Sequence, residues 1–209
     1  MTAPNYNLIV NNESTTEGDV LIFCQKPDAN TPDIQTYAWL SKFLYPGVKA
    51  DFSWQMQWAF MWKQINSINE SQQIVPTDLQ TNNKITLDYD SGHQAFHFAD
   101  QVQGDSPGSL YIEESANVPS GMAQVGLALS GHPAFLVNCQ PNMNVVITPK
   151  PSYFLMFGTH EDNGPISIDQ YSKAVALNYP PNIYSLTATI HQDGNISVEN
   201  SPLLFTDES

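Results

Sequence analysis

The chain has 209 residues, 41% of them hydrophobic and only 13% charged, with seven basic against twenty-one acidic side chains and a formal charge of −14. A nucleic-acid binder needs a positive stripe to displace counterions, and an anionic membrane repels such a surface, so neither partner fits. The length is long for one domain but common among all-β folds, no low-complexity linker divides it, and it reads as a single domain over residues 1–209.

Met1–Tyr6 carries neither a basic n-region nor an apolar h-region, so the sequence predicts a cytoplasmic protein without a secretory signal. No window approaches the roughly 20 apolar residues of a membrane span. Strand-like runs come at Tyr6–Val10 and Val20–Cys24, on either side of the turn-rich Asn11–Gly18, and at Tyr37–Leu44 after the loop Lys26–Asp33. From Phe52 to Trp62 every second residue is large and apolar: Phe52, Trp54, Met56, Trp58, Phe60 and Trp62. That period of two predicts one long strand with three of the four tryptophans on one face. At roughly 33 Å it would exceed an ordinary strand of about 17–20 Å, so the stripe calls for cover by a second sheet, a partner subunit or a bound apolar molecule.

Ile85–Tyr89 and Ala95–Phe98, joined by Asp90-Ser91-Gly92-His93, predict a hairpin. Leu110–Glu113, Val125–Ser130, Ala134–Cys139, Val145–Thr148 and Tyr153–Phe157 predict further strands, and Ile183–His191 and Ile196–Glu199 flank the Asp193-Gly194 turn signal. Only Ile168–Leu177 reads as helical, and no internal repeat stands out. The whole predicts an all-β fold: an antiparallel β-sandwich of two packed sheets, Greek-key or jelly-roll-like, with at most one short helix.

Few residues offer chemistry. Ser130 and His132 lie two apart on an extended segment, hence on opposite faces, and read as a turn. His93 and His97 near Asp88 and Asp90 are ligand types a divalent metal accepts, but hairpin tips carry the same residues for local hydrogen bonding, and no metal is expected. His160-Glu161-Asp162 reads as an acidic turn. Cys24 and Cys139 are expected to be free, buried thiols, and the sequons at Asn12, Asn69 and Asn195 to be chance in an Asn- and Ser-rich chain. The candidate site is therefore the stripe itself, Trp54, Met56, Trp58, Phe60 and Trp62, extended by Trp39 if Tyr37–Leu44 pairs beside it. Tryptophan N–H groups seek partners and methionines adapt to flat guests, whereas Lys49 and Lys63 only flank the stripe, so attachment would be non-covalent.

Several stretches resemble one family. Tyr6-Asn7-Leu8-Ile9-Val10-Asn11-Asn12-Glu13-Ser14-Thr15, Ala38-Trp39 with Lys42, Trp54 through Trp62 and Gly108-Ser109-Leu110-Tyr111-Ile112 resemble the RhiA (rhizosphere-induced) protein family. Val125-Gly126-Leu127 with Ser130-Gly131, Gln140-Pro141-Asn142, Thr148-Pro149 with Tyr153, Phe157-Gly158 and Pro181-Asn182-Ile183-Tyr184 are similar as well. The resemblance spans nearly the whole chain, in structural phrases with no catalytic motif. It implies a soluble β-rich protein without an established enzymatic activity, and related-looking fungal pink chromoproteins hold a small apolar pigment. By that analogy the chain is expected to be a non-enzymatic protein that binds a small apolar, conjugated molecule, a non-covalent chromophore of unknown identity, at the aromatic and methionine-lined site, as a homodimer with the site near its seam. The alternative is a structural or storage protein that self-associates through the stripe. An enzyme using the histidines is the weakest reading, because no matched acid and base share a spacing.

Overall fold

Short alternating runs rich in β-branched and aromatic residues fold as strands wherever one face can be buried. In the computed structural model, which describes residues 4–65, 71–160 and 164–201, they form eighteen strands and one five-residue helix. The strands are β1 (Asn5–Asn12), β2 (Gly18–Cys24), β3 (Asp28–Ala29), β4 (Gln35–Thr36), β5 (Ala38–Leu44), β6 (Lys49–Gln55), β7 (Trp58–Gln64), β8 (Gln72–Pro76) and β9 (Lys84–Asp90). They continue as β10 (Ala95–Val102), β11 (Leu110–Glu114), β12 (Ala123–Leu129), β13 (His132–Asn138), β14 (Asn144–Thr148), β15 (Tyr153–Gly158), β16 (Val175–Leu177), β17 (Ser185–Ile190) and β18 (Ile196–Asn200). The helix α1 (Ile168–Ser172) stops after five residues and Val175–Leu177 is a strand, which corrects the helical reading of Ile168–Leu177.

The chain is an all-β sandwich with one short helix, but its strands divide among four sheets where two were expected. Their orders are β18-β17-β1-β6, β16-β15-β2-β5, β10-β9-β11-β14-β3 and β4-β13-β12-β7-β8. Pairing is antiparallel except for β1 with β17 and β9 with β11. β12 is buried along its whole length and β2 along nearly all of it, and one apolar cluster runs through all four sheets.

The stripe from Phe52 to Trp62 is two strands, not one. β6 pairs with β1 and β7 pairs with β12, in different sheets, and Met56-Gln57 is the break between them. The Gln57 N–H donates back to the Gln55 carbonyl. The neighbouring turn then clamps the bend: the Ser130 hydroxyl donates to the Gln55 carbonyl at 2.6 Å and the Ser130 N–H donates to the Gln57 carbonyl. The alternation survives the bend because both strands wall the same interior. The long strand, and the overhang it implied, do not exist.

The pairings also contain a repeat that the sequence reading missed. The first half (β1, β2, β5, β6, β7, β8, β9, β10) and the second (β11 to β18) run through the same succession of pairings. β1 with β6 matches β11 with β14, β2 with β5 matches β12 with β13, and β7 with β8 matches β15 with β16. The contacts between halves match too: β1 with β17 and β11 with β9 are the two parallel pairs, and β2 with β15 corresponds to β12 with β7. Registers agree in detail, so that Leu8 lies opposite Phe52 as Leu110 lies opposite Ile147, and the same register slip follows Ile22 and Leu127. Tyr45-Pro46-Gly47-Val48 and Gln140-Pro141-Asn142-Met143 are equivalent turns, with Gly47 and Asn142 at positive φ (74° and 59°) and the fourth N–H bonded to the first carbonyl. Each half gives strands to the other's sheets, so the two halves are interlocked. Residues 25–37 are an excursion of the first half alone, and supply β3 and β4 to the second half's edges.

Candidate functional site

Sequence placed Trp39, Trp54, Met56, Trp58, Phe60 and Trp62 on one wall, and the folded chain divides them. Trp58, Phe60 and Trp62 on β7 are interior: Trp58 stacks on Phe135, Phe60 meets Phe98, and Trp62 meets Phe96 while its indole donates to Gln73 at 3.1 Å. Trp39 on β5 and Trp54 on β6 come together instead, with ring centroids 5.8 Å apart, although β5 pairs with β2 and not with the stripe. Five of the six residues are closed off by the chain itself, Met56 alone being half-buried. No outside cover is needed for the stripe, which removes the original argument for a guest.

A different constellation takes its place. Tyr6 at the start of β1, Trp39, Trp54, Tyr153 at the start of β15 and Tyr179 beyond β16 form one aromatic cluster. Tyr6 stacks on Trp54 at 5.8 Å and 14°, and meets Tyr179 edge-on at 5.0 Å. Tyr153 lies 5.5 Å from Trp54 and 5.6 Å from Trp39. Edge-to-face arrangements of this kind add about 0.5–1.5 kcal/mol per pair beyond burial. A cleft of about 470 Å³ opens against the cluster, lined among others by Tyr6, Met56, Pro151, Tyr153, Phe154 and Tyr179. On its other side Trp39 borders a smaller polar cavity of about 240 Å³ with His132 and His160.

The cluster is polar where it should be satisfied and is not. The Trp39 and Trp54 indole N–H groups and the Tyr153 hydroxyl are buried without a hydrogen-bond partner. The Trp54 indole turns toward the Tyr153 hydroxyl without completing a hydrogen bond. Each such group costs about 1–3 kcal/mol. Burial pushes the Tyr153 and Tyr179 hydroxyls above the usual phenol range, so both are neutral, and Tyr179 donates to the Asn7 carbonyl at 3.1 Å.

The other candidates are engaged locally. His93 Nδ1 lies 2.7 Å from Asp90, Asp88 accepts from Ser115 and Asn117, and His97 sits across the ladder from Asp88. Among the described residues no three metal-ligating side chains converge. Cys24 and Cys139 are free and buried, their thiols pushed up by burial. Asn69, Glu161 and Asp162 lie outside the described residues. Among the described residues no helix is long and apolar enough to cross a membrane.

Sequence reasoning missed Tyr6, Tyr153 and Tyr179, which reach the site from three distant segments. One signal was available: Tyr45–Trp62 aligns without a gap on Gln140–Phe157, which sets Trp58 against Tyr153. With the fold and the site in view, comparison with known proteins becomes informative. The RhiA family model matches residues 3–201. The chain belongs to the RhiA family. One relative is Protein RhiA of Rhizobium leguminosarum bv. viciae, 22% identical over 196 residues, which cover 90% of this chain and 83% of the relative. No solved structure matches significantly.

Proposed function

We propose that this RhiA-family chain is a non-enzymatic binding protein that holds a small apolar, flat molecule non-covalently in the cleft lined by Tyr6, Met56, Tyr153 and Tyr179, with Trp54 buried behind them. The observation that carries the reading is the group of unpartnered polar atoms on Trp39, Trp54 and Tyr153, gathered in one aromatic cluster beside that cleft. The match of pairings between the halves supports it. At equivalent positions the other half carries Gly108 for Tyr6, Ala134 for Trp39 and Pro149 for Trp54, so the scaffold forms without those rings. Contact with two or three rings buries about 200–300 Å² of a guest, a gross gain of about 5–8 kcal/mol before the costs of association. A conjugated guest would absorb in the near-ultraviolet or visible.

The test is solvent extraction and an absorption spectrum of the purified native protein, with tryptophan-quenching titration by 2-naphthol as a neutral aromatic probe. Tyr179→Ala and Met56→Ala, at half-buried positions, are expected to weaken binding at least tenfold while the fold survives. A protein with nothing extractable and no response to 2-naphthol overturns the reading.

A second reading, self-association, has its own observation. Equivalent edges differ in cover: β14 and β13 are flanked by β3 and β4, whereas β6 and β5 end their sheets beside the exposed Phe43, Tyr45 and Val48. Lys42 donates to the Asp51 carbonyl and closes part of that edge, which is why this reading stands second.

A further inference from the structure

We infer that the chain is a fused pair of one roughly 100-residue folding unit, each half being the binding partner of the other through exchanged strands, and that the cleft takes residues from both. The two halves match in their strand pairings, independently of residue identity. If the match between halves were accidental, registers would drift from strand to strand. They agree in every matched pair except for the bulge between Ala99 and Val102, which β17 and β18 lack. Glu13 donates to the Ile190 carbonyl as Ser115 donates to the Leu87 carbonyl, and Asn12 to Val48 as Glu114 to Met143. Each of these bonds falls at the matching position in the other half. Two of them join one half to the other, so neither half closes its own sheets: without β17 and β15, β1 and β2 expose both ladder edges that the partner half now fills.

The connections follow the same correspondence. Ser201 and Asn7 flank Ser185 on neighbouring strands, so these two residues lie about 10 Å apart. The link from β10 to β11 spans the matching gap over β9, the order β10-β9-β11 corresponding to β18-β17-β1. Met56 and Pro151 are equivalent residues of the two strand-to-strand bends, and both line the one 470 Å³ cleft, so the cleft takes residues from the bend of each half. The partner class implied for either half is therefore another copy of the unit, from which the excursion 25–37 and the α1 segment distinguish the first and second halves.

Two experiments on the full chain test this. First, a protease site placed in the 103–108 link is cut after folding. The nicked protein is expected to stay one 1:1 particle in native buffer, to separate in denaturant and to reassemble on dilution; halves that separate in native buffer overturn the inference. Second, Tyr45–Val48 and Gln140–Met143 are exchanged for one another. Equivalent turns predict a melting temperature within a few degrees of the parent, and loss of the cooperative transition overturns the equivalence. Neither readout involves a guest, so their failure is distinct from failure of the binding reading.

Discussion

Asn12 and Glu114 occupy the same position in the two halves, and they show how one scaffold position is settled in two ways. Asn12 is buried and satisfied: its amide donates to the Thr16 carbonyl at 2.8 Å and accepts from the Ser14 hydroxyl at 2.6 Å. Glu114 is equally buried but accepts from the Gln140 N–H alone at 2.9 Å, leaves its second oxygen without a partner, and lies beside the Cys139 thiol. Burial lifts its carboxyl to about 7. The same contrast holds in the aromatic cluster, where Tyr6, Trp39 and Trp54 have Gly108, Ala134 and Pro149 as their equivalents in the other half. Repetition keeps the ladders in place, and the departures from it gather in the interior side chains.

The largest effect expected from breaking this comparison is at Gly126, the equivalent of Leu21. A Cβ at Gly126 would lie 2.0 Å from the Phe135 carbonyl oxygen, so Gly126→Ala forces two backbones apart. It should cost about 3 kcal/mol or more in denaturant unfolding, whereas Leu21→Val, a change at its buried equivalent, should cost about 1 kcal/mol. Equal costs would mean that the backbones of β12 and β13 do not approach closely at Gly126.

Glu114 comes next. Its folded pKa exceeds the ordinary 4.5, so between there and about 7 the native state holds a proton that the unfolded chain has released. Stability should therefore fall as pH rises through that window, by at most about 3 kcal/mol. Glu114→Gln should flatten the dependence. Asn12→Asp, which places a carboxyl at the equivalent position, should create one. Melting curves across the pH range decide both.

Smaller effects separate the two groups of tryptophans. Trp62→Phe removes one of two donors to Gln73, whose oxygen still accepts from the Phe98 N–H at 2.9 Å, and should lose about 1 kcal/mol beyond its volume change. Trp54→Phe removes an unpartnered N–H and should cost less than that, yet weaken 2-naphthol binding. If Trp54→Phe proves the more damaging to the unliganded protein, the unpartnered N–H has no part in the cluster's role.

The smallest expected effect concerns the bare edge. A two-fold pairing of β6 with a second copy, centred on Ala50, would set Lys49 against the partner's Asp51, an exposed pair worth about 0.2–1 kcal/mol. Lys49→Asp should weaken any self-association seen by sedimentation, and Lys49→Asp with Asp51→Lys should restore it. No association at any concentration removes that reading.

Much of the ladder was legible in advance. The hairpin at Asp90–His93, the Asp193-Gly194 turn and the inward positions of Phe52, Trp54, Trp58, Phe60 and Trp62 all follow from local rules: turn residues that accept unusual φ, and side chains that alternate sides along an extended backbone. The two-residue strands β3 and β4 carry too few residues for any period to register, and β16 lay inside a misread helix. Nor could the break at Met56-Gln57 be read, because alternation continues on both sides of a bend that Ser130, far along the chain, holds in place.

The chain by itself determined that it would be a β protein, which faces of its strands would be apolar, and that its surface would be strongly acidic. Only the tertiary structure decided which strands pair, that four sheets form from two interlocked halves, and that Tyr6, Tyr153 and Tyr179 meet Trp39 and Trp54 beside one cleft. Alternation is a property of a single extended backbone and needs no partner. Pairing is chosen among distant segments by the apolar area and hydrogen bonds each arrangement completes, and no local stretch of sequence carries that choice.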